Sequence, residues 1–224
     1  PACKYIVGMM MCSIAKKEKW KNVGYMIAGL GLIFVSLQFM QAAVEPIKNS
    51  QQVRDFIGTL KNPFLMVFIG MALTFVLQSS TALTTILISM ADVFCVSVGG
   101  QLGITNAVLF IILGSNIGTC FTTIMASIGA NTNAKRAGFL HLLFNLLGSV
   151  LYFIFLVCWS DFANVTLDTW LPGKPGLQIA MFHTIFNTSC TLIFLPFASL
   201  LVKIAEFVIP DKTDDKKRET LYID

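Results

Sequence analysis

Long apolar runs make up most of the chain, and what interrupts them differs from run to run. Residues 23–44, 104–128, 137–160 and 176–209 are each long enough to cross a bilayer as a helix, for which about 20 residues suffice. The last of these is broken by Pro196 and carries Lys203 and Glu206 near its end. Residues 5–15 are apolar but too short to cross alone, and predict the last part of a membrane helix. Residues 45–61 mix charges with Val53, Phe56, Ile57 and Leu60 at helical spacing, the pattern of an amphipathic helix lying in the interface. Residues 63–98 form a run of a different kind, closed by Gly99-Gly100 and carrying Gln78-Ser79-Ser80-Thr81 near its middle.

From Asn62 to Ala134 the only formally charged residue is Asp92. A charge in hydrocarbon costs several kcal/mol, so this stretch reads as lipid-embedded. Hydroxyls and amides at that depth are also costly unless they meet partners. Here they come densely: Thr74, Ser79, Ser80, Thr81, Thr84, Thr85 and Ser89, then Ser115, Asn116, Thr119, Thr122, Thr123 and Ser127. Such a density predicts a binding site for a small polar solute more than simple helix–helix hydrogen bonding. Two crossings within residues 63–98 would leave roughly 15–18 residues per arm, near the lower limit for a span. A re-entrant helical hairpin with Gln78–Thr81 at its tip fits better, since non-helical backbone at that depth must line a cavity or lie within protein.

Composition agrees. The chain has 224 residues, 55% of them hydrophobic and 12% charged, with a mean hydropathy of +0.74; soluble domains carry about twice that charge fraction. The fold class expected is an all-α integral membrane protein, a multi-span helical bundle with one re-entrant hairpin. The net charge of +4 comes from short clusters at Lys16–Lys21, Lys135-Arg136 and Lys212–Arg218, so it speaks to topology and not to nucleic acid. The positive-inside rule puts these clusters, and the C-terminus, in the cytoplasm, and residues 45–61 and 161–174 outside. This gives a multi-pass protein of the cytoplasmic membrane, with its lipid bilayer as first partner. The sequence divides into residues 1–22 (a helix end and a basic loop), 23–209 (the spans) and 210–224 (a charged tail). The start at Pro1 and the short first run suggest a chain cut from a longer one. Six cysteines with no C-x-x-C pair predict neither a disulfide framework nor a metal site. A nucleophile–base pair and a nucleotide loop are likewise lacking, which argues against an enzyme and a resident cofactor.

The residues also constrain the solute. The nearest Lys or Arg on either side of Gln78 are Lys61 and Lys135, so an anion held here would have no fixed cation beside it. Helix N-termini, hydroxyls and the Gln78 amide can still donate to oxyanions. The remaining charge calls for mobile cations, and sodium suits hydroxyl, amide and carbonyl oxygens. Broken helices around a neutral, hydroxyl-rich site are what cation-coupled anion transport uses. From the residues by themselves the function is small-solute transport, with an anion suggested. His141 and Asn145, and again His183 and Asn187, stand four apart on one helix face; they read as buried polar groups bridging two spans.

Gln78-Ser79-Ser80-Thr81 resembles the Q-S-S-S signature of the type II sodium-dependent phosphate cotransporters, and Gly114-Ser115-Asn116-Ile117-Gly118-Thr119 resembles that family's second motif. Residues 135–145 and 182–197, each with an H-x-x-F-N element, are similar to its bacterial branch. The resemblance runs from about residue 24 to residue 210. It implies one half of an inverted-repeat transporter, the second repeat, with the first lying upstream or supplied by a second copy. It implies inorganic phosphate as substrate at Gln78, Ser79, Ser80, Thr81, Ser115 and Asn116. Sodium, the coupling ion, would be held by Ser80, Thr84, Asn116, Thr119, Thr122 and Thr123. The tail resembles a linker to a PhoU-like domain. Two other readings stay open: an exporter or carrier of another small anion on the same fold, and a non-transporting membrane anchor that regulates phosphate signalling.

Overall fold

The computed structural model describes residues 2–98 and 101–211. The chain divides into two units, Pro1–Arg54 and Asp55–Asp224.

In the first unit α1 (Ala2–Ile14) and α2 (Glu18–Lys48) form an antiparallel pair. Small residues let the two backbones touch. A Cβ on Gly8 would lie 2.3 Å from the Ala28 nitrogen, and one on Gly31 would lie 2.4 Å from the Tyr5 nitrogen. The amphipathic segment expected over residues 45–61 is divided. Its first part continues α2 through Pro46 to Lys48, and only α3 (Gln51–Thr59) forms the separate helix, with none of its residues buried.

The second unit opens with α4 (Pro63–Leu77). Proline sits in its first turn, where a missing N–H costs nothing, and the Asn62 side chain accepts from the Phe64 N–H at 2.9 Å. After a break at Gln78 and Ser79 comes α5 (Ser80–Ser89). A 3-10 turn (Ala91–Phe94) leads into an antiparallel ribbon of β1 (Cys95–Val98) and β2 (Gln101–Ile104). The Gly99-Gly100 stop lies outside the described residues. Then follow α6 (Asn106–Ser127), α7 (Thr132–Cys158), a π-turn (Ala163–Leu167) running into the short α8 (Asp168–Trp170), α9 (Pro175–Phe194), a 3-10 turn (Leu195–Phe197) and α10 (Ala198–Val208).

Four stretches are long and apolar enough to cross a membrane: Glu18–Lys48, Asn106–Ser127, Thr132–Cys158 and Pro175–Val208. Pro63–Leu77 and Ser80–Ser89 pass that test only as a pair, bent by 117°. The fold is thus the expected helical membrane bundle, with the short ribbon as an addition. The second arm after Gln78 is shorter than the run suggests: it stops at Ser89, and the rest goes into the turn and ribbon.

Side-chain contacts fix the directions of the helices. α4 and α6 run parallel, as Val67 meets Gly114, Met71 meets Gly118 and Thr74 meets Ser115. α7 returns antiparallel to α6, as shown by Ser149 bonding the Leu113 carbonyl and Thr123 pairing with His141. α9 runs antiparallel to α7, with Tyr152 reaching Ser189 and Phe144 packing on Phe194. Gly176 at the start of α9 lies against Ile88 at the end of α5. So α4, α6 and α9 start at one end of the unit, α5 and α7 run back towards it, and the α4–α5 break lies at depth between them. Residues 212–224, including the Lys212–Arg218 cluster, lie outside the described residues.

Candidate functional site

The break is built by opposite helix ends. Gln78 caps α4 with φ 56 and ψ 19, and its N–H donates to the Thr74 carbonyl at 2.7 Å. Among the described residues no other non-glycine has a positive φ. This left-handed cap is usually glycine, because a Cβ there is strained. Ser79 is extended (φ −152, ψ 112) and caps α5, its Oγ accepting from the Ala82 N–H at 3.2 Å. The N–H groups ahead of Ala82, on Ser80 and Thr81, point out of the helix with no carbonyl of their own turn to reach. Gln78 and Thr81 are exposed and Ser79 and Ser80 half-buried. The four residues therefore present free amide hydrogens, hydroxyls and one carboxamide at a positive helix end.

α6 carries the second group of hydroxyls and amides. Ser115, Thr119 and Thr122 follow at i, i+4 and i+7, which puts them on one face. That face meets α4: the Thr74 hydroxyl donates to the Ser115 Oγ at 2.8 Å, and both residues are buried. Thr74 meets both Ser115 and Gly118, and that parallel register carries Gln78, four residues on, to the level of Thr119 to Thr122. Thr119 and Thr122 donate to the carbonyls of Ser115 and Thr119 along their own helix, which leaves their oxygens free to accept. Asn116 turns towards α9, where its Nδ2 donates to the Asn187 Oδ1 at 3.1 Å. Thr123 pairs with the His141 Nδ1 on α7 at 2.9 Å. Thr84, on α5, is buried, and its hydroxyl meets no partner. Among the described residues no direct hydrogen bond joins Gln78–Thr81 to Ser115–Thr123. α4 links the two groups through Thr74, and α5 packs on both α6 and α9.

At the other end of the unit, where α4 and α6 begin, a cavity of about 460 Å³ opens among Lys61, Pro63, Cys95, Thr105, Asn106 and Asn164. Burial pushes the Cys95 thiol up to about 11, helped by the carboxylates of Asp92 and Asp168. Asn106 sits under this cavity with both ends engaged. Its Nδ2 donates to the carbonyls of Leu156 and Trp159, and its Oδ1 accepts from the Ala163 N–H. Gln178, fully buried, has the same character: it donates to Asp168 and to the Leu171 carbonyl and accepts from the Ile104 N–H. Neither residue stands out in the sequence; each is an isolated amide near a helix start, and that is the signal that could have found them.

Residues 46–167 match the Na+/Pi-cotransporter family. This chain belongs to that family. The matched segment takes in the break, the whole of α6 and the whole of α7. Among relatives, the chain is 29% identical over 208 residues to an uncharacterized Bacillus subtilis protein, YqeW, covering 92% of this chain and 64% of that one. It is 25% identical over 215 residues to the putative inorganic phosphate export protein YjbB of Escherichia coli, covering 93% of this chain and 36% of YjbB. It is 30% identical over 126 residues to human sodium-dependent phosphate transport protein 2B, covering 53% and 17% respectively. The chain thus spans less than two thirds of the length of these relatives. No solved structure matches. Membership makes this a membrane protein of a phosphate-transport family and not of an enzyme family.

Proposed function

We propose that this chain supplies one half of the site of a sodium-coupled inorganic phosphate symporter in the cytoplasmic membrane, with its C-terminus in the cytoplasm. The observation that carries the reading is the break itself. It offers free N–H groups, the Ser79, Ser80 and Thr81 hydroxyls and the Gln78 carboxamide at a helix N-terminus part-way along the apolar helices. Phosphate accepts from these donors and from Ser115, while Asn116, whose Nδ2 is engaged by Asn187, offers its oxygen to the cation. No formal positive charge lies between Lys61 and Lys135, so sodium ions neutralise the bound anion. Ser80, Thr84, Asn116, Thr119, Thr122 and Thr123 provide oxygens for them, and the unpartnered Thr84 hydroxyl supports this role best. The cavity bearing Lys61 serves as the way in. The remaining half of the site comes from a first repeat of the same parent chain or from a second copy, and a PhoU-like domain follows the tail.

The test is labelled phosphate uptake by the full-length protein in proteoliposomes, with and without an inward sodium gradient. Sodium-dependent uptake that Gln78→Ala abolishes without unfolding the protein is the expected result. Uptake unchanged in Gln78→Ala would remove the break as the phosphate site. The name of the Escherichia coli relative favours one other reading, phosphate export. Flux measured in both directions on the same vesicles separates the two.

A further inference from the structure

The amides around α9 impose an order on one another. The His183 carbonyl is a backbone oxygen and can only accept. Asn187 lies 2.8 Å from it and must therefore present its Nδ2 there. That turns the Asn187 Oδ1 outward to α6, where Asn116 answers with its own Nδ2 at 3.1 Å. A flipped Asn116 would set two oxygens face to face. Its orientation is thus dictated from another helix, and its Oδ1 is the end left over. Among the described residues no hydrogen bond reaches that oxygen. Asn116 is 7% exposed, and a carboxamide oxygen that meets no protein donor is open to a hard cation. The pair bridges α6 and α9, the two helices on which α5 rests with its unpartnered Thr84.

We infer that Asn187 is a positioning residue that fixes the Asn116 amide with its carbonyl oxygen offered to the coupling cation. Asn116 then belongs to the sodium side of the site, and phosphate depends on the break. The inference rests on the symporter reading for the identity of the cation. His183 contributes its backbone only, so its side chain is dispensable for this function. α7 carries the same element, with the Asn145 Nδ2 donating to the His141 carbonyl at 2.9 Å. There the His141 ring is taken up by Thr123.

The experiment titrates sodium, with potassium as control, against the unfolding temperature of the purified full-length protein. In parallel it measures binding of labelled inorganic phosphate at saturating sodium. Asn187→Ala should raise the half-saturating sodium concentration tenfold or more and leave phosphate binding within twofold. Asn187→Asp, measured at a pH where the carboxyl is protonated, should recover sodium affinity to within threefold of the wild type, because its O–H donates to the His183 carbonyl and its other oxygen faces Asn116. Asn187→Gln, which keeps the amide but moves it by one methylene, should fall between the two and serves if the alanine variant does not fold. An unchanged sodium curve, an equal loss for sodium and phosphate, or an aspartate variant as poor as alanine would each overturn the inference. Wild-type protein that binds phosphate with no response to sodium overturns both this inference and sodium coupling. A sodium response without phosphate binding removes phosphate as the substrate and leaves the inference to be judged on the sodium curves.

Discussion

Two helix pairs in this molecule are packed through glycine, and they are put to different use. In α1–α2, Gly8, Gly24 and Gly31 bring backbones together, and the hydroxyl of Ser13 bonds only within α1. In α4–α6, Gly70, Gly114 and Gly118 do the same, but the interface also carries the Thr74–Ser115 hydrogen bond. Ser115 and Asn116 directly follow Gly114. Close approach in the second pair therefore does more than join helices: it sets polar groups at a fixed height beside the break. The helices also differ in surroundings, with 61% of the α6 span buried against 17% of the α2 span. A glycine contact on its own is architecture, and it becomes part of a site when hydroxyls and amides are held next to it.

Substitution of the glycines gives the largest expected effect. A Cβ at Gly114 would sit 1.9 Å from the Val67 carbonyl oxygen, which is backbone and cannot swing away. Gly114→Ala should destabilise the protein by about 3 kcal/mol or more, seen as a lower unfolding temperature in detergent, and should abolish phosphate binding in whatever remains folded. Gly8→Ala should also destabilise, yet leave the phosphate affinity of the folded fraction unchanged. Equal loss of binding in both would erase the distinction. Gln78→Gly comes next: it relieves the left-handed cap and should raise stability by about 0.5–1 kcal/mol, while uptake is lost with the carboxamide. A glycine variant that still transports would mean the backbone turn matters and the side chain does not.

Thr74→Val should cost roughly 1 kcal/mol because it leaves the buried Ser115 hydroxyl without its donor. Adding Ser115→Ala should return much of that, so a double-mutant cycle on unfolding free energy gives a coupling of about that size. Additive losses would show that the two hydroxyls do not act as a pair. Thr84→Val has the smallest expected effect on stability. The hydroxyl it removes has no partner, so the sodium-free protein should be unchanged or slightly more stable. Its unfolding temperature should respond less to added sodium than that of the wild type.

The break could be read from the sequence because four polar residues stand in the middle of an apolar run, and local chemistry tells that story. The short second arm could not. Residues 90–98 are apolar apart from Asp92 and Ser97 and include Val93, Val96 and Val98, a composition that a membrane helix and a ribbon share. Tertiary contacts decide in favour of the ribbon, including the Gln178 Oε1 that accepts from the Ile104 N–H from 74 positions away. Asn187 was visible as one of two His–Asn elements. Its cross-helix partner was not, since helical spacing reports neighbours at three and four positions and Asn116 is 71 positions off. Thr123 shows the same limit: spacing placed it with the α6 hydroxyls, and the fold pairs it with His141.

The depth of the break carries an electrical consequence. The 15 residues of α4, at 1.5 Å each, put Gln78 about 22 Å from Pro63 along the helix axis, within a hydrocarbon layer about 30 Å thick. In the proposed symport a cation that enters from the Pro63 end and stops at that depth would already have fallen through part of the membrane field. A full crossing is worth about 2.3 kcal/mol per elementary charge per 100 mV. In the proposed symport voltage would therefore act on the loading of the site before any helix moves, which would make its occupancy a reading of the membrane potential.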